Sequence, residues 1–190
     1  MNAEQEKELV ERVKDDTSVF GELYEQYYTP ILGYILRRTA SIEVAQDITS
    51  EVFIKALKNL KRFQWRDVPF SAWLYRIATH EIANHHRENN HRFLPLLDEA
   101  ADSAVDPAPT AENEFIEAEA ELERHKNFLV LQSGISKLPV KYQEVITLRF
   151  FENKSLKEIG AILGKREGTI KSLLHRGLGK LREFLEQNAT

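Results

Sequence analysis

The stretch from Ser155 to Arg182 leaves a chain few ways to fold. Ser155-Leu156-Lys157-Glu158 is a capping box: the serine hydroxyl accepts from the amide three residues on, and the glutamate reaches back to the serine amide. A helix therefore starts there. Leu156, Ile159, Ile162 and Leu163 supply its buried face, and Gly164 offers the left-handed residue that commonly ends a helix. A second helix is expected from Glu167 to Thr169 onward, burying Ile170, Leu174, Leu178, Leu181 and Leu185 at helical spacing. Its other face carries Thr169, Lys171, Ser172, His175, Arg176, Lys180 and Arg182, with Arg166 just ahead of it. These are phosphate and base-edge donors, which a helix-turn-helix presents to the major groove. The alternative is a helical hairpin with a solvated basic side.

Helical periodicity extends over most of the chain, and no period-two strand is found, so the fold is expected to be all-α. Phe20, Leu23, Tyr24, Tyr27 and Tyr28 form one stripe, with Thr17 or Ser18 as N-cap. Thr29-Pro30 is expected to end that helix and open another through Ile31, Ile35 and Leu36. After Ser41 a further stripe runs through Ile48, Val52, Phe53, Ala56, Leu57 and Leu60. Residues 61–69 break the pattern, and a helix from Phe70-Ser71 carries Trp73, Leu74, Ile77 and Ile82. Leu138-Pro139 marks another start, with Val145, Ile146, Leu148 and Phe150. Between the halves, LPLLDEAADSAVDPAPT has no sustained apolar stripe and reads as a flexible linker. The expected organisation is two small helical domains, 1–94 and 115–190, joined by an acidic linker, 95–114, with the helix-turn-helix in the second.

Charge follows that division. The net charge of -4 argues against nucleic-acid binding only until it is resolved along the chain. Residues 95–123 hold 10 acidic groups and no Lys or Arg, whereas residues 137–182 hold 11 basic groups and 4 acidic ones. The C-terminal module is thus a plausible phosphate-binding footprint behind an acidic strap. With no cysteine, disulfides, cysteine-based zinc sites and thiol nucleophiles are excluded. The N-terminus is polar, with no apolar signal core, and a cytoplasmic protein is expected. His80-Glu81-Ile82-Ala83-Asn84 approaches the zinc-protease pattern, but Asn84 stands where the second histidine belongs, and His85 lies about 140° around the helix from His80. His80, His85, His86 and His91 could instead sense metal or protons, though in a basic region they serve more simply as donors to DNA. No active site, metal or cofactor is expected.

The segment LPVKYQEVITLRFFENKSLKEIGAILGKREGTIKSLLHRGLGKLRE resembles the C-terminal domain of bacterial sigma factors of the extracytoplasmic-function (ECF) type. FGELYEQYYTPILGYILRRT, AQDITSEVFIKALKNL and FSAWLYRIATHEIANHHR resemble the first domain of the same subfamily, in the same order. The resemblance covers residues 17–94 and 115–185. It implies that the helix holding Asp47, Glu51 and Phe53 docks on the clamp helices of the largest subunit of core RNA polymerase, with Phe53 also suited to the core. It implies that Phe63, Trp65, Arg66, Arg76, His80, Asn84 and Arg87 melt and hold the minus-ten promoter element, where aromatic faces stack bases and cations neutralise phosphates. Trp73 is expected to be largely buried, and Trp65 to be the surface contact. The second domain would bind the minus-thirty-five element as duplex through Arg166, Thr169, Lys171, Ser172, His175, Arg176 and Lys180. The linker would then run through the polymerase channels, as a nucleic-acid mimic or a plain spacer. An anti-sigma factor is an implied partner.

The chain departs from that pattern in places. Arg166 stands where serine is common, and Leu173, Gly177, Leu178 and Gly179 stand where arginines are. Each interior glycine costs about 1 kcal/mol relative to alanine, so the C-terminal half of that helix is expected to be weak without a partner. His80 and Asn84 replace the usual Asn and Asp. The rival reading is a helix-turn-helix regulator that binds duplex DNA without being a polymerase subunit.

Overall fold

The computed structural model describes residues 3–65, 69–92 and 130–187, and every regular element among them is helical. The expected linker and Arg66 lie outside the described residues. In the first domain, α1 is Ala3–Asp15, α2 Phe20–Thr39, α3 Ile42–Asn59 and α4 Phe70–Arg92. The second begins with a helical segment over 130–137 (α5). It continues with α6 at Val140–Ile146, a π-helical turn at Thr147–Phe151, α7 at Leu156–Leu163 and α8 at Glu167–Gln187. Among the described residues no helix is long and apolar enough to cross a membrane.

Helix α1 is an element that the polar look of the N-terminus hides. Leu9, Val10 and Val13 bury its inner side, and Glu6 is 5% exposed. The Glu6 carboxylate accepts from the Tyr27 hydroxyl of α2 and from the Ser71 amide at the start of α4, 3.1 Å away. A buried anion is thus satisfied by two donors, one of them an orphan amide at the positive end of a helix. Asp16, rather than Thr17 or Ser18, caps the turn before α2, accepting from the Ser18 amide at 2.9 Å.

The expected break at Thr29-Pro30 is not there, and α2 runs unbroken through Pro30. Gln26 and Pro30 both face solvent, so water can reach the carbonyl that the missing Pro30 amide would have bonded. Ser41 caps α3 through the Val44 amide at 3.3 Å. Ala45, Ile48, Val52 and Ala56 of α3 then pack with Leu23, Ile31 and Ile35 of α2 and Leu74, Ala78 and Ile82 of α4. Each such aliphatic side chain contributes roughly 1.5–3 kcal/mol when fully buried.

In the second domain Ile135, Tyr142, Val145 and Ile146 meet Ile159, Ile162, Ile170, Leu174 and Leu181. Two expected core positions are corrected. Leu178 is 40% exposed and Phe150 54% exposed. Gly177 takes the buried place on α8, because α6 approaches so closely that a Cβ there would stand 3.1 Å from both Ile146 Cδ1 and Tyr142 Cβ. Phe150 leaves the core because the π turn, closed by the Glu152 amide on the Thr147 carbonyl at 3.1 Å, shifts the register of its side chains. Nor is the C-terminal half of α8 left without support: it stays helical to Gln187, with Gly177 and Leu181 buried against the rest of the domain.

Candidate nucleic-acid interface

The helix-turn-helix is built from its ends inward. Ser155 Oγ accepts from the Glu158 amide at 3.2 Å while Glu158 accepts from the Ser155 amide at 2.8 Å, so both halves of the capping box are made. Gly164 ends α7 at φ 65°, in the left-handed region, with its amide on Gly160. Gly160 in turn lets the chain fold back, since a Cβ there would meet the Lys165 carbonyl oxygen at 2.7 Å. Two glycines thus make the turn as tight as it is. Helix α8 then buries Ile170, Leu174, Gly177 and Leu181 and turns Thr169, Lys171, Ser172, His175, Arg176 and Lys180 outward, with Arg166 exposed just before it. Arg182, also exposed, pairs with Glu186 at 2.7 Å.

A second row of polar and cationic groups runs along α4. Arg76, His80 and Arg87 are exposed and Asn84 half-buried, at spacings that keep all four on one helical face. Arg87 donates to Asn84 Oδ1, so the end of the row is already organised. Above it lies an aromatic cluster. Phe63, 8% exposed, is packed edge-to-face with Trp65 at 6.1 Å and with Phe70 at 5.2 Å, and lies tilted on Trp73 at 5.1 Å. Trp65 and Trp73 are each half-buried: Trp73 is less enclosed than expected and Trp65 more so. Arg62, Phe63, Gln64, Ala72, Trp73 and Arg76 line a cleft of about 380 Å³ whose far wall is Ala161 of α7. Such a cleft offers a stacking face, amide donors and two guanidinium groups, the inventory needed for an unpaired base and its phosphates.

On α3, Asp47 and Glu51 are exposed one turn apart, whereas Phe53 is 4% exposed, its ring 6.4 Å from Phe20 and 4.8 Å from Tyr24. The carboxylates share a groove with Glu81, Asn84 and His85 of α4. Lys55 of α3 ion-pairs with Glu81 and fixes the two helices at that level. Among the described residues no three His, Asp or Glu side chains gather as a metal site. The His91 side chain lies outside those described.

The two domains meet through charged groups that the sequence did not single out. Glu152, following the π turn, pairs with Arg37 of α2 and accepts from the Tyr75 hydroxyl of α4. Burial first, and then the Glu152 charge, hold that hydroxyl well above the ordinary phenol range. Lys154 donates to Ser71 Oγ at 3.0 Å and lies 4.9 Å from the Tyr75 ring centroid. Arg38, with its side chain fully buried, donates to Tyr34 Oη at 2.8 Å and reaches Glu144 of α6 at 3.4 Å. Burial raises the Glu144 carboxyl, opposed by the charges of Arg38, Lys165 and His80.

Residues 23–92 match the family described as Sigma-70 region 2, and residues 128–181 match Sigma-70, region 4. The chain is 33% identical to the ECF RNA polymerase sigma factor BldN of Streptomyces coelicolor, over 96% of its own length and 66% of that protein's. It is 31% identical to the RNA polymerase sigma factor YlaC of Bacillus subtilis, over 88% of this chain and 92% of that one. With the ECF RNA polymerase sigma factor SigW of the same organism the identity is 30%, over 94% and 95%. Two solved structures share the fold. CnrH, in complex with the cytosolic domain of CnrY, superposes with a TM-score of 0.67 at 21% identity, over 96% of this chain and 97% of that one. The sigma factor RpoE of Bartonella quintana, in complex with the anti-sigma factor NepR, gives 0.65 at 19%, over 88% and 96%. Sigma factors are not enzymes. Two helical domains in this order, both matching in sequence, together with relatives matched along nearly their whole length, place the chain in the extracytoplasmic-function subfamily of sigma-70-type RNA polymerase sigma factors.

Proposed function

We propose that the two domains divide promoter recognition between a duplex reader and a strand trap. Helix α8 enters the major groove of the minus-thirty-five element with Arg166, Thr169, Lys171, Ser172, His175, Arg176 and Lys180. The α4 row of Arg76, His80, Asn84 and Arg87, with Trp65, Arg66 and the Phe63 cluster, captures the opened minus-ten strand. Unstacking a base costs a few kcal/mol, which stacking on aromatic rings and phosphate neutralisation offset. Asp47 and Glu51 orient the chain on the clamp helices of the polymerase's largest subunit, while Phe53 acts from beneath by holding that face in shape. Catalysis belongs to the polymerase. The working place is the nucleoid, and an anti-sigma factor, which holds inactive sigma in the cytoplasm or at the membrane, is a proposed partner.

The observation that carries this reading is the pair of basic faces, one on each domain, with the aromatic cleft beside only one of them. Its test mixes the full chain with core polymerase and a library of promoter DNA. Sequence-dependent open complexes, detected by reactivity of unpaired thymines, are expected. Duplex binding with no opened strand would overturn the reading in favour of an ordinary regulator.

A further inference from the structure

Helix α1 lies outside residues 23–92, the stretch that matches Sigma-70 region 2, yet it reaches the aromatic cleft beside α4 at two separate points. Near its start, Glu6 Oε1 accepts from both the Tyr27 hydroxyl and the Ser71 amide, which fixes the first turn of α4 two residues before Trp73. Tyr27, held by that bond, packs its ring 5.9 Å from Phe70. Near its end, Lys14 places its ammonium 5.6 Å from the centroid of the Phe63 ring. The Lys14 side chain is 18% exposed, an enclosure that few lysines reach, and its head also pairs with Glu11 at 2.9 Å. Between the two, Val10 and Val13 are fully buried, and the eight residues from Glu6 to Lys14 span roughly 12 Å. Phe63 packs on both tryptophans and Phe70 on Trp73, so α1 holds the rings that support them.

We infer that α1 is a brace for the aromatic cleft, with Glu6 and Lys14 as positioning residues for strand capture. They act through Ser71 and Phe63 rather than on the nucleic acid. Glu6 holds the helix start from which Trp73 and Arg76 project, and Lys14 holds the ring against which both tryptophans lie. A base entering the cleft then meets a stacking surface already in place, so the cost of ordering these rings is not subtracted from its binding. This inference rests on reading the cleft as the strand trap.

Trp65 and Trp73 are the two tryptophans of the chain, so acrylamide quenching of its intrinsic fluorescence reads the packing of the cleft with neither polymerase nor DNA present. Opening is read with core polymerase on a promoter that the parent chain opens, as the ratio of thymine-reactive open complexes to duplex-bound closed ones. Glu6→Ala and Lys14→Met are compared with Glu6→Gln, which keeps the Oε1 acceptor, and with Ile35→Ala, a cavity in the same core about two turns along α2 from Tyr27. All are measured at a temperature where circular dichroism shows each variant folded. In Glu6→Ala, quenching should rise and the open-to-closed ratio should fall on the order of tenfold, as when the competent arrangement drops to about a tenth of the population. Lys14→Met should lower that ratio about twofold to fivefold, the range of an exposed cation–π contact. Glu6→Gln should stay close to the parent, and Ile35→Ala should leave both readouts unchanged. An equal loss in Ile35→Ala, no recovery in Glu6→Gln, or unchanged quenching in Glu6→Ala would overturn the brace. Raised quenching with an unchanged ratio would overturn the positioning role. Absence of open complexes with the parent chain overturns the promoter reading itself, while the quenching comparison still judges the brace.

Discussion

Glu6, buried, and His86, half-buried, show how single ionisable groups are held within a helical domain. Glu6 is retained in the core because two donors answer it, and removing it strands the Tyr27 hydroxyl and leaves the Ser71 amide at the start of α4 without its acceptor. Hydrogen bonds to charged groups contribute about 1.5–3 kcal/mol, so Glu6→Ala should lower stability by roughly 2 kcal/mol in urea unfolding. His86 lies close to Arg38 and His85; burial first, and then those two neighbours, push its pKa below the ordinary 6.5. The folded state therefore favours the neutral ring. Its stabilising effect is present above pH 6.5 and is lost as pH falls through the lower folded value. Thermal unfolding followed from neutral to mildly acid pH should show that loss in the parent, and His86→Gln should flatten it.

At the scale of elements, α8 separates two glycines that look alike in sequence. Nothing lies within 4 Å of a Cβ built on Gly179, whereas one on Gly177 would press on Ile146 and Tyr142. Gly179→Ala should stabilise the chain by about 1 kcal/mol through helix propensity, while Gly177→Ala should give no such gain; thermal midpoints of the two variants distinguish them. The same helix carries the duplex-binding prediction. Arg176 is exposed on the outer face of α8, so Arg176→Ala should weaken duplex binding. If it meets a phosphate, the salt slope should fall by about one; if it meets a base, sequence preference should relax instead. Titrations at several salt concentrations separate the two.

On the scale of the whole molecule, the coupling between domains passes through buried charge. Arg38 is fully buried and its cross-domain partner is Glu144, so Glu144→Ala leaves a buried cation whose remaining partner among the described residues is Tyr34, through its hydroxyl and ring. A loss on the order of 3 kcal/mol is expected in denaturant unfolding. The paired replacement Arg38→Met with Glu144→Leu should recover much of it, because an apolar pair needs no desolvation of charge. Little of this was legible beforehand. Sequence by itself determined what is local: the all-helical character, the capping box at Ser155, the turn at Gly164 and the polar face of α8, since caps, turns and helical periodicity depend on residues within a few positions of one another. It also carried both matching regions and hence the family. It misjudged Pro30, Leu178 and Phe150, where solvent access to a carbonyl, the approach of α6 and an inserted π turn outweighed the local pattern. Only the tertiary structure decided that Glu6 caps α4, that Ala161 walls the cleft and that Glu152 spans two helices of the other domain. Those partners are separated by 65 to 115 residues in the chain, and no periodicity within a helix encodes a contact at that range.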